Sequence, residues 1–217
     1  MWHRCLRFSG DCSTILRGLA QHGRPIQYAH VPDAVALWDV WTGIAAEPIA
    51  FEAPSAGFAL DWRTLATWRQ RGIVFATLAH AAGISSTGNA TLDLRLPFDE
   101  PYRIPATTAE AIEQAQSRRA RIVAIGTTVV RALEAAADAV GRVRAGDGIT
   151  SLRVGSETPL RVVDTLLTGV HEPGESHFEL LRAFASDAAL DRIFKTVVKH
   201  GYRTHEFGDS VLIERPH

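Results

Sequence analysis

Cysteine and long apolar segments are scarce in this sequence. Two cysteines, Cys5 and Cys12, occur among 217 residues, which is too few for a disulfide framework and favours the reducing cytoplasm. Two free thiols are the expected state, with a local bridge as the alternative. No apolar run approaches the roughly 20 residues of a membrane-spanning helix, and the polar segment 1–12 lacks the apolar centre of a secretory signal. Neither membrane attachment nor secretion is therefore expected.

An excess of positive charge is also missing. Lys and Arg number 23 against 24 for Asp and Glu, which gives a net charge of −1. Proteins that bind nucleic acids are often basic, because their cations neutralise phosphates. The cations that cluster form three small groups: Arg118, Arg119 and Arg121; Arg142 and Arg144; Lys195 and Lys199. The charge balance counts against a strongly basic surface but leaves room for a local basic face.

The pattern of apolar residues predicts a mixed α/β fold. Hydrophobic residues make up 46% of the chain, enough for the core of an ordinary globular protein. Strands are predicted at 73–79, 121–125, 149–154 and 160–167, and helices at 13–21, 61–71, 107–116, 129–140, from Ser176 and around 190–198. Capping boxes are expected at Thr107 and Ser176. A terminal hairpin of 202–207 with 210–213 adds antiparallel pairing, so the sheet is predicted to be mixed.

The turn after strand 121–125 is the strongest local candidate for a site. Gly126 lets the backbone approach a ligand closely, and the free N–H groups of the next helical turn, with the Thr127 and Thr128 hydroxyls, can bind an anion. Arg131 follows where a positive charge opposes the helix dipole, which makes sense if it holds a carboxylate or phosphate. In the structural alternative, a threonine caps the helix and Arg131 pairs with an acid such as Glu134.

Two histidines and an aspartate form a second group of candidates. His171, in a loop after a strand, can transfer protons near neutral pH, or it can be a turn residue with an exposed imidazole. His171 and His177 match no standard spacing of metal ligands, so no metal is expected. Asp164 interrupts an apolar strand, where it is either on the solvent face or buried with a partner.

The remaining candidates are weaker. Glu100 stands alone, His80 suits the end of a strand, and Asp209 suits a turn. Four tryptophans can stack on a base, but helical spacing predicts core positions for the last two: Trp38, Trp41, Trp62 and Trp68. The sequence has no phosphate-binding P-loop, nicotinamide fingerprint, zinc motif or nucleophile elbow.

Several stretches of the chain recur in a fixed order in one known family. They are 53–57, 122–134, 162–164 with Thr168, 171–173, 202–203 and 208–209. The run Gly-Thr-Thr-x-x-Arg-x-Leu-Glu, followed by Val-Val-Asp and His-x-Pro, is specific in combination. In these motifs, and more weakly from about residue 40 to the end, the chain resembles the C-terminal part of the S-adenosylmethionine:tRNA ribosyltransferase-isomerases of queuosine biosynthesis.

The resemblance implies both a fold and a reaction. The fold is a mixed α/β main domain over 32–217, with a barrel-like sheet flanked by helices; 1–31 would be a remnant of the N-terminal and inserted region, most of whose small barrel is lacking. The reaction moves and isomerises the ribosyl group of S-adenosylmethionine onto an aminomethyl-deazaguanine base at the tRNA wobble position, releasing adenine and methionine. S-adenosylmethionine would be a substrate, tRNA the acceptor, and no metal would be needed.

The resemblance also implies roles for particular residues. His171, Glu100 and Asp164 are expected to be catalytic, with His171 as the proton-transfer residue. The turn 126–128 and Arg131 are expected to hold the anionic end of the substrate. The full set expected to bind substrate is Pro54, Ser55, Gly57, His80, Gly126, Thr127, Thr128, Arg131 and Asp209.

Departures from the family pattern leave alternatives open. The family's Pro-Thr-Ala-Gly-Leu-His appears at 54–59 without its histidine, and Leu-His-Val-Gly-Ala-Gly-Thr appears at 78–84 with the histidine displaced by one. A His-x-Glu pair becomes Phe-Asp-Glu at 98–100, and Tyr-Gln-Thr becomes Val-Trp-Thr at 40–42. One alternative is an enzyme that uses S-adenosylmethionine on a small-molecule acceptor or cleaves its sulfonium. The other is a non-catalytic subunit that needs a partner chain to complete its fold or site.

Overall fold

The computed structural model describes residues 7–27, 31–45, 53–83, 89–204 and 207–216. The helices of this part of the chain are α1 Cys12–His22, α2 Trp62–Gln70, α3 Ala90–Asp93, α4 Ala106–Ser117, α5 Thr127–Ala136, α6 Ser176–Leu181 and α7 Asp187–His200, with 3₁₀ turns at Leu37–Val40 and Ser55–Ala59. Its strands are β1 Ala79–His80, β2 Glu100–Ile104, β3 Val123–Ile125, β4 Gly146–Thr150, β5 Thr165–Gly169 and β6 Ser210–Glu214.

The strands of the described residues form two small sheets. In the first, β2 lies between β1 and β4, and both pairings are antiparallel. In the second, β5 lies between β3, which is parallel to it, and β6, which is antiparallel. The prediction of a mixed α/β fold is confirmed. The division at residue 31 stays a prediction.

The hydrophobic core is formed by the second sheet and helices α4 to α7. Leu166, on the central strand β5, is completely buried, as is Val130 on α5. Val130 and Leu133 are three residues apart and so lie on one face of α5, which packs on this core. The helix ends at Ala136, before the predicted limit, because the next residue forms a β-bridge with Val143.

Glu134 is a buried carboxylate that holds a neighbouring loop. Its Oε1 accepts hydrogen bonds from the N–H groups of Val162 (3.0 Å) and Val163 (2.9 Å), and its Oε2 accepts one from Arg161 (2.8 Å). Buried backbone N–H groups need acceptors. Glu134 therefore fixes the approach of the chain to β5.

Two helix ends agree with the sequence. Asp61 accepts a hydrogen bond from the Thr64 N–H at 2.6 Å and caps α2, as predicted. Gly201, with φ 69°, ends α7 in the left-handed conformation that glycine adopts most readily.

The two predicted capping boxes are wrong. Thr107 and Ser176 lie within the first turns of α4 and α6, and the N-cap positions are Pro105 and Glu175. The fixed φ of proline suits a helix start, so α4 begins directly after Pro105. A threonine followed three residues later by a glutamate resembles a capping box, but this local pattern does not reveal that α4 starts before the threonine.

The predicted strand 73–79 is wrong except at its end. Only Ala79 pairs in a strand, followed by His80, and their partners are on β2. The sequence gives no signal for β2 itself, because Pro101 argues against a strand paired on both sides. Strand position here depends on a long-range partner. Likewise, the strands predicted at 149–154 and 160–167 lie at Gly146–Thr150 and Thr165–Gly169.

The terminal hairpin is also wrong over the described residues. β6 pairs with β5, with Glu214 opposite Thr165, rather than with 202–204. Residues 205–206 lie outside the described part of the chain. The predicted antiparallel pairing is present, but its partner strand is far away in the sequence.

Three further predictions concern exposure and location. Trp62 is 73% exposed, so its predicted core position is wrong. Cys12 is a free, exposed thiol, and Cys5 lies outside the described residues. Among the described residues, no helix combines the length and the apolar character needed to cross a bilayer.

Candidate functional site

A cavity of about 1390 Å³ lies where β3 and β5 end. Ile125 and Gly126 at the end of β3, and Thr168 near the end of β5, form part of its wall. Because β3 and β5 are parallel, their carboxyl ends meet at one edge of the sheet. Such edges are common binding sites in α/β proteins.

Most of the residues expected to form the site line this cavity. Ten of the twelve do so: Pro54, Ser55, Gly57, His80, Glu100, Gly126, Thr127, Thr128, Arg131 and His171. They come from the 3₁₀ turn Ser55–Ala59 and the residue before it, from β1 and β2 of the first sheet, from the segments that follow β3 and β5, and from α5. Separate parts of the sequence therefore meet around one space.

Asp164 and Asp209 are not in the cavity wall. Asp164 accepts a hydrogen bond from the Ile122 N–H (2.9 Å) and pairs with Arg215 (2.7 Å), which is the partnered arrangement weighed from the sequence. Asp209 accepts a hydrogen bond from the Arg203 N–H (2.7 Å) in the turn before β6. Both carboxylates hold segments of backbone outside the cavity wall, so neither belongs to the proposed substrate site.

The turn between β3 and α5 has the geometry of an anion-binding loop. Gly126 has φ 98°, a conformation that strains other residues, and its N–H donates to Leu167 O at 2.8 Å. Gly126 itself is the N-cap of α5, so the interpretation in which a threonine caps the helix is wrong. Thr127 and Thr128 line the cavity wall, and their N–H groups, at the start of the helix, can bind an anion together with the Thr128 hydroxyl.

Arg131 lies behind this turn and is buried. Its Nη1 is 2.5 Å from Glu100 Oε2, and its Nε donates to Leu152 O at 3.1 Å. The alternative pairing with Glu134 is wrong, because that carboxylate accepts backbone N–H groups instead. Nη2 has no hydrogen-bond acceptor among the described residues. A buried donor without an acceptor is unfavourable, so a bound anion would stabilise it.

Glu100 is an ionised counter-ion held by several donors. It accepts the Gly83 N–H at 2.7 Å, and its Oε2 is 3.1 Å from His80 Nε2. Burial acts to raise the pKa of Glu100, but hydrogen bonds from His80 and Gly83 and the charge of Arg131 bring it below its ordinary value. Burial lowers the pKa of Arg131, and the charge of Glu100 opposes this shift. The two groups form a buried ion pair.

His171 is held in a defined orientation at the cavity wall. Its Nε2 is 3.1 Å from Thr168 Oγ1, and its Nδ1 is 3.7 Å from Glu175 Oε2. Only 11% of its side chain is exposed, so the interpretation as an exposed turn imidazole is wrong. The ring of His177 lies 4.8 Å away, centroid to centroid. No group of three or more potential metal ligands occurs in the described chain.

His177 is expected to make stability depend on pH. Burial, together with the nearby His171, lowers the pKa of His177 to about 4 from 6.5. Between these values the unfolded chain binds more protons than the folded chain, so stability falls as the pH falls from 6.5 to 4. The free energy of unfolding should drop by about 2 kcal/mol between pH 7 and pH 5 through this group. Urea titrations of the wild type and His177→Leu measure it; equal pH slopes would contradict it.

Sequence reasoning missed Gly83 and a group of cavity residues on α2. Gly83 approaches Glu100 so closely that an added Cβ would lie 3.2 Å from its Oε1; nothing local in the sequence marks this contact. The group on α2 is a stripe formed by Trp62, Leu65, Ala66 and Arg69. The spacing of three and four residues in this stripe is visible in the sequence. A helical spacing of apolar residues predicts a core position for Trp62, however, and not a position facing a cavity.

Comparison with known proteins identifies relatives of the chain. A family model described as "Queuosine biosynthesis protein" matches residues 2–213. The S-adenosylmethionine:tRNA ribosyltransferase-isomerase of Sorangium cellulosum is 37% identical over 200 residues, covering 86% of this chain and 54% of that protein. The one from Thermus thermophilus is 33% identical over 213 residues, covering 97% of this chain and 61% of that protein.

A solved structure is also similar. The crystal structure of the S-adenosylmethionine tRNA ribosyltransferase from Thermotoga maritima matches with a TM-score of 0.59 and 28% identity, covering 72% of this chain and 50% of that one. The present chain thus spans between half and about three fifths of the length of these relatives.

Proposed function

The chain belongs to the queuosine biosynthesis protein family, and from this membership we propose that it binds S-adenosylmethionine in the cavity. The proposed reaction transfers the ribosyl group to the aminomethyl-deazaguanine wobble base of tRNA and isomerises it. One observation carries the proposal. An anion-binding helix start, a buried arginine with an unpartnered nitrogen, and an oriented histidine converge on the same cavity. A tRNA acceptor implies a cytoplasmic protein.

The methionine carboxylate is proposed to bind at the start of α5. The N–H groups after Gly126 and the Thr128 hydroxyl offer donors, and Arg131 adds a positive charge just behind them. Glu100 then serves as the fixed counter-ion of Arg131 rather than as an independent acid or base. Charge-assisted hydrogen bonds of this kind are about twice as strong as neutral ones.

The size of the cavity supports a reaction with two substrates. Sites for one small ligand usually have volumes of about 300–1,000 Å³, whereas this cavity has about 1390 Å³. The remaining volume has room for the acceptor base beside S-adenosylmethionine.

His171 is proposed to transfer the proton next to the sulfonium. The reaction needs a base at that carbon, and the imidazole is oriented by Thr168 and Glu175. We expect His171→Gln to lower kcat by about 10²- to 10⁴-fold, the usual contribution of a general base, with little change in affinity for S-adenosylmethionine. The matched control is His200→Gln, an exposed histidine at the end of α7. Equal losses in both variants would contradict the role.

A product assay tests the reaction as a whole. The chain is incubated with S-adenosylmethionine and with tRNA that carries the aminomethyl-deazaguanine base, and adenine and methionine are quantified. Release of both, dependent on this tRNA, is the expected result. Release without tRNA would replace the tRNA acceptor with the small-molecule or cleavage alternative. No release, despite bound S-adenosylmethionine, would favour the non-catalytic subunit. The partner chain in that alternative stays a prediction.

A further inference from the structure

Helix α2 presents an aromatic and basic face at the rim of the cavity. Trp62, Leu65, Ala66 and Arg69 follow a spacing of three and four residues, so they share one side of the helix, and all four line the cavity. None of the residues of α2 is buried. Trp62 is 73% exposed, although burial of an indole is strongly favourable. The face is therefore open.

Two more exposed indoles lie on the segment that contacts Trp62. Gly43 lies against the Trp62 ring, since a Cβ added there would be 3.6 Å from Cζ2. Just before it, Trp38 and Trp41 have ring centroids 6.2 Å apart and are 79% and 48% exposed. Exposed tryptophans thus occur on α2 and on the segment that leads to Gly43.

The same helix carries positive charge that no acidic group of the described residues neutralises. Arg63, Arg69 and Arg71 are exposed, and none of them forms an ion pair with any described residue. The carboxylate at the start of the helix is that of the N-cap Asp61, which is engaged with Thr64. In a chain of net charge −1, this is a local basic face, and it is separate from the three groups of cations named from the sequence.

We propose that this Trp–Arg face, formed by Trp62 and Arg69 with Arg63 and Arg71 beside them, binds the single-stranded loop of an RNA hairpin. Unpaired bases offer flat faces for stacking on Trp62, and the phosphates between them pair with the arginines. A paired duplex offers phosphates but hides its base faces. The inference rests on the proposed function, because it places the RNA acceptor beside the cavity in which the ribosyl group would be transferred.

Binding of an RNA hairpin, compared with a fully paired duplex of the same stem, tests this face. Fluorescence anisotropy is measured without S-adenosylmethionine. Trp62→Ala should weaken hairpin binding about tenfold, as expected for loss of one stacked base, and should change duplex binding little. Arg69→Ala should weaken both and reduce the slope of log affinity against log salt by about one. The matched controls, Tyr202→Ala and Arg192→Ala, remove an exposed aromatic and an exposed cation outside the cavity wall and should change neither affinity.

The outcomes separate this inference from the proposed function. Unchanged hairpin affinity in Trp62→Ala and Arg69→Ala would overturn the face even if the wild type releases adenine. Equal binding of hairpin and duplex, or association of copies that Trp62→Ala abolishes, would also overturn it. Loss of hairpin binding in both variants, with duplex binding weakened in Arg69→Ala but little changed in Trp62→Ala, would support it even if no adenine is released, in which case only the reaction fails. Circular dichroism of each variant checks that the fold is retained.

Discussion

Arg131→Ala is expected to lower the free energy of unfolding by about 3–5 kcal/mol, in addition to weakening ligand binding. Removing one member of a buried ion pair leaves the other charged and unpaired. Here the group left behind is Glu100, which is 4% exposed and lies 2.5 Å from the guanidinium. Urea unfolding at pH 7 measures the loss. A loss below about 1 kcal/mol would mean that the pair does not form.

A double variant separates stability from binding at this position. In the double variant Arg131→Met with Glu100→Leu, neither side chain is charged. Replacing a buried ion pair by apolar groups of similar volume often changes the free energy of unfolding little. We expect the double variant to recover most of the stability but not the affinity for S-adenosylmethionine. If binding returns with stability, Arg131 is structural.

Glu134→Ala is expected to lower the free energy of unfolding by at least about 2 kcal/mol. The buried N–H groups of Val162 and Val163 lose their acceptor, as does the part-buried N–H of Arg161, and each buried donor without an acceptor costs about 1–3 kcal/mol. Glu134→Gln keeps an acceptor oxygen and should lose less. Urea unfolding of both variants measures the difference. The exposed Glu113 of α4 is the matched control, and its replacement by Ala should stay within about 0.5 kcal/mol; a similar change for Glu134 would contradict the role of its three bonds.

The part of the site that is local in sequence could be predicted. The strand at 121–125, Gly126 and the apolar face of α5 are adjacent in the chain, so their pattern carries the strand, the turn and the helix together. The partners of that turn could not be predicted. Glu100 reaches Arg131 from β2, a strand of the other sheet and distant in the sequence, and β2 has a proline that argues against a strand.

For a related reason, the sequence pattern could not predict how far each tryptophan is exposed. Trp62 and Trp68 are six residues apart and therefore point to different sides of α2, so a helical pattern cannot bury both. Whether a side is covered depends on neighbours distant in the chain, and the side with Trp62 faces the cavity. His177 is similar: its contact with His171 requires the fold of the loop between β5 and α6.

A calorimetric titration with two ligands tests most directly whether the cavity holds S-adenosylmethionine by its carboxylate. The second ligand is decarboxylated S-adenosylmethionine, which keeps the adenosine and the sulfonium but lacks the group assigned to the start of α5 and Arg131. Because hydrogen bonds to a charged group contribute about 1.5–3 kcal/mol, S-adenosylmethionine should bind about 10- to 100-fold more tightly. Equal affinity for the two ligands, or no binding of S-adenosylmethionine, would contradict the assignment.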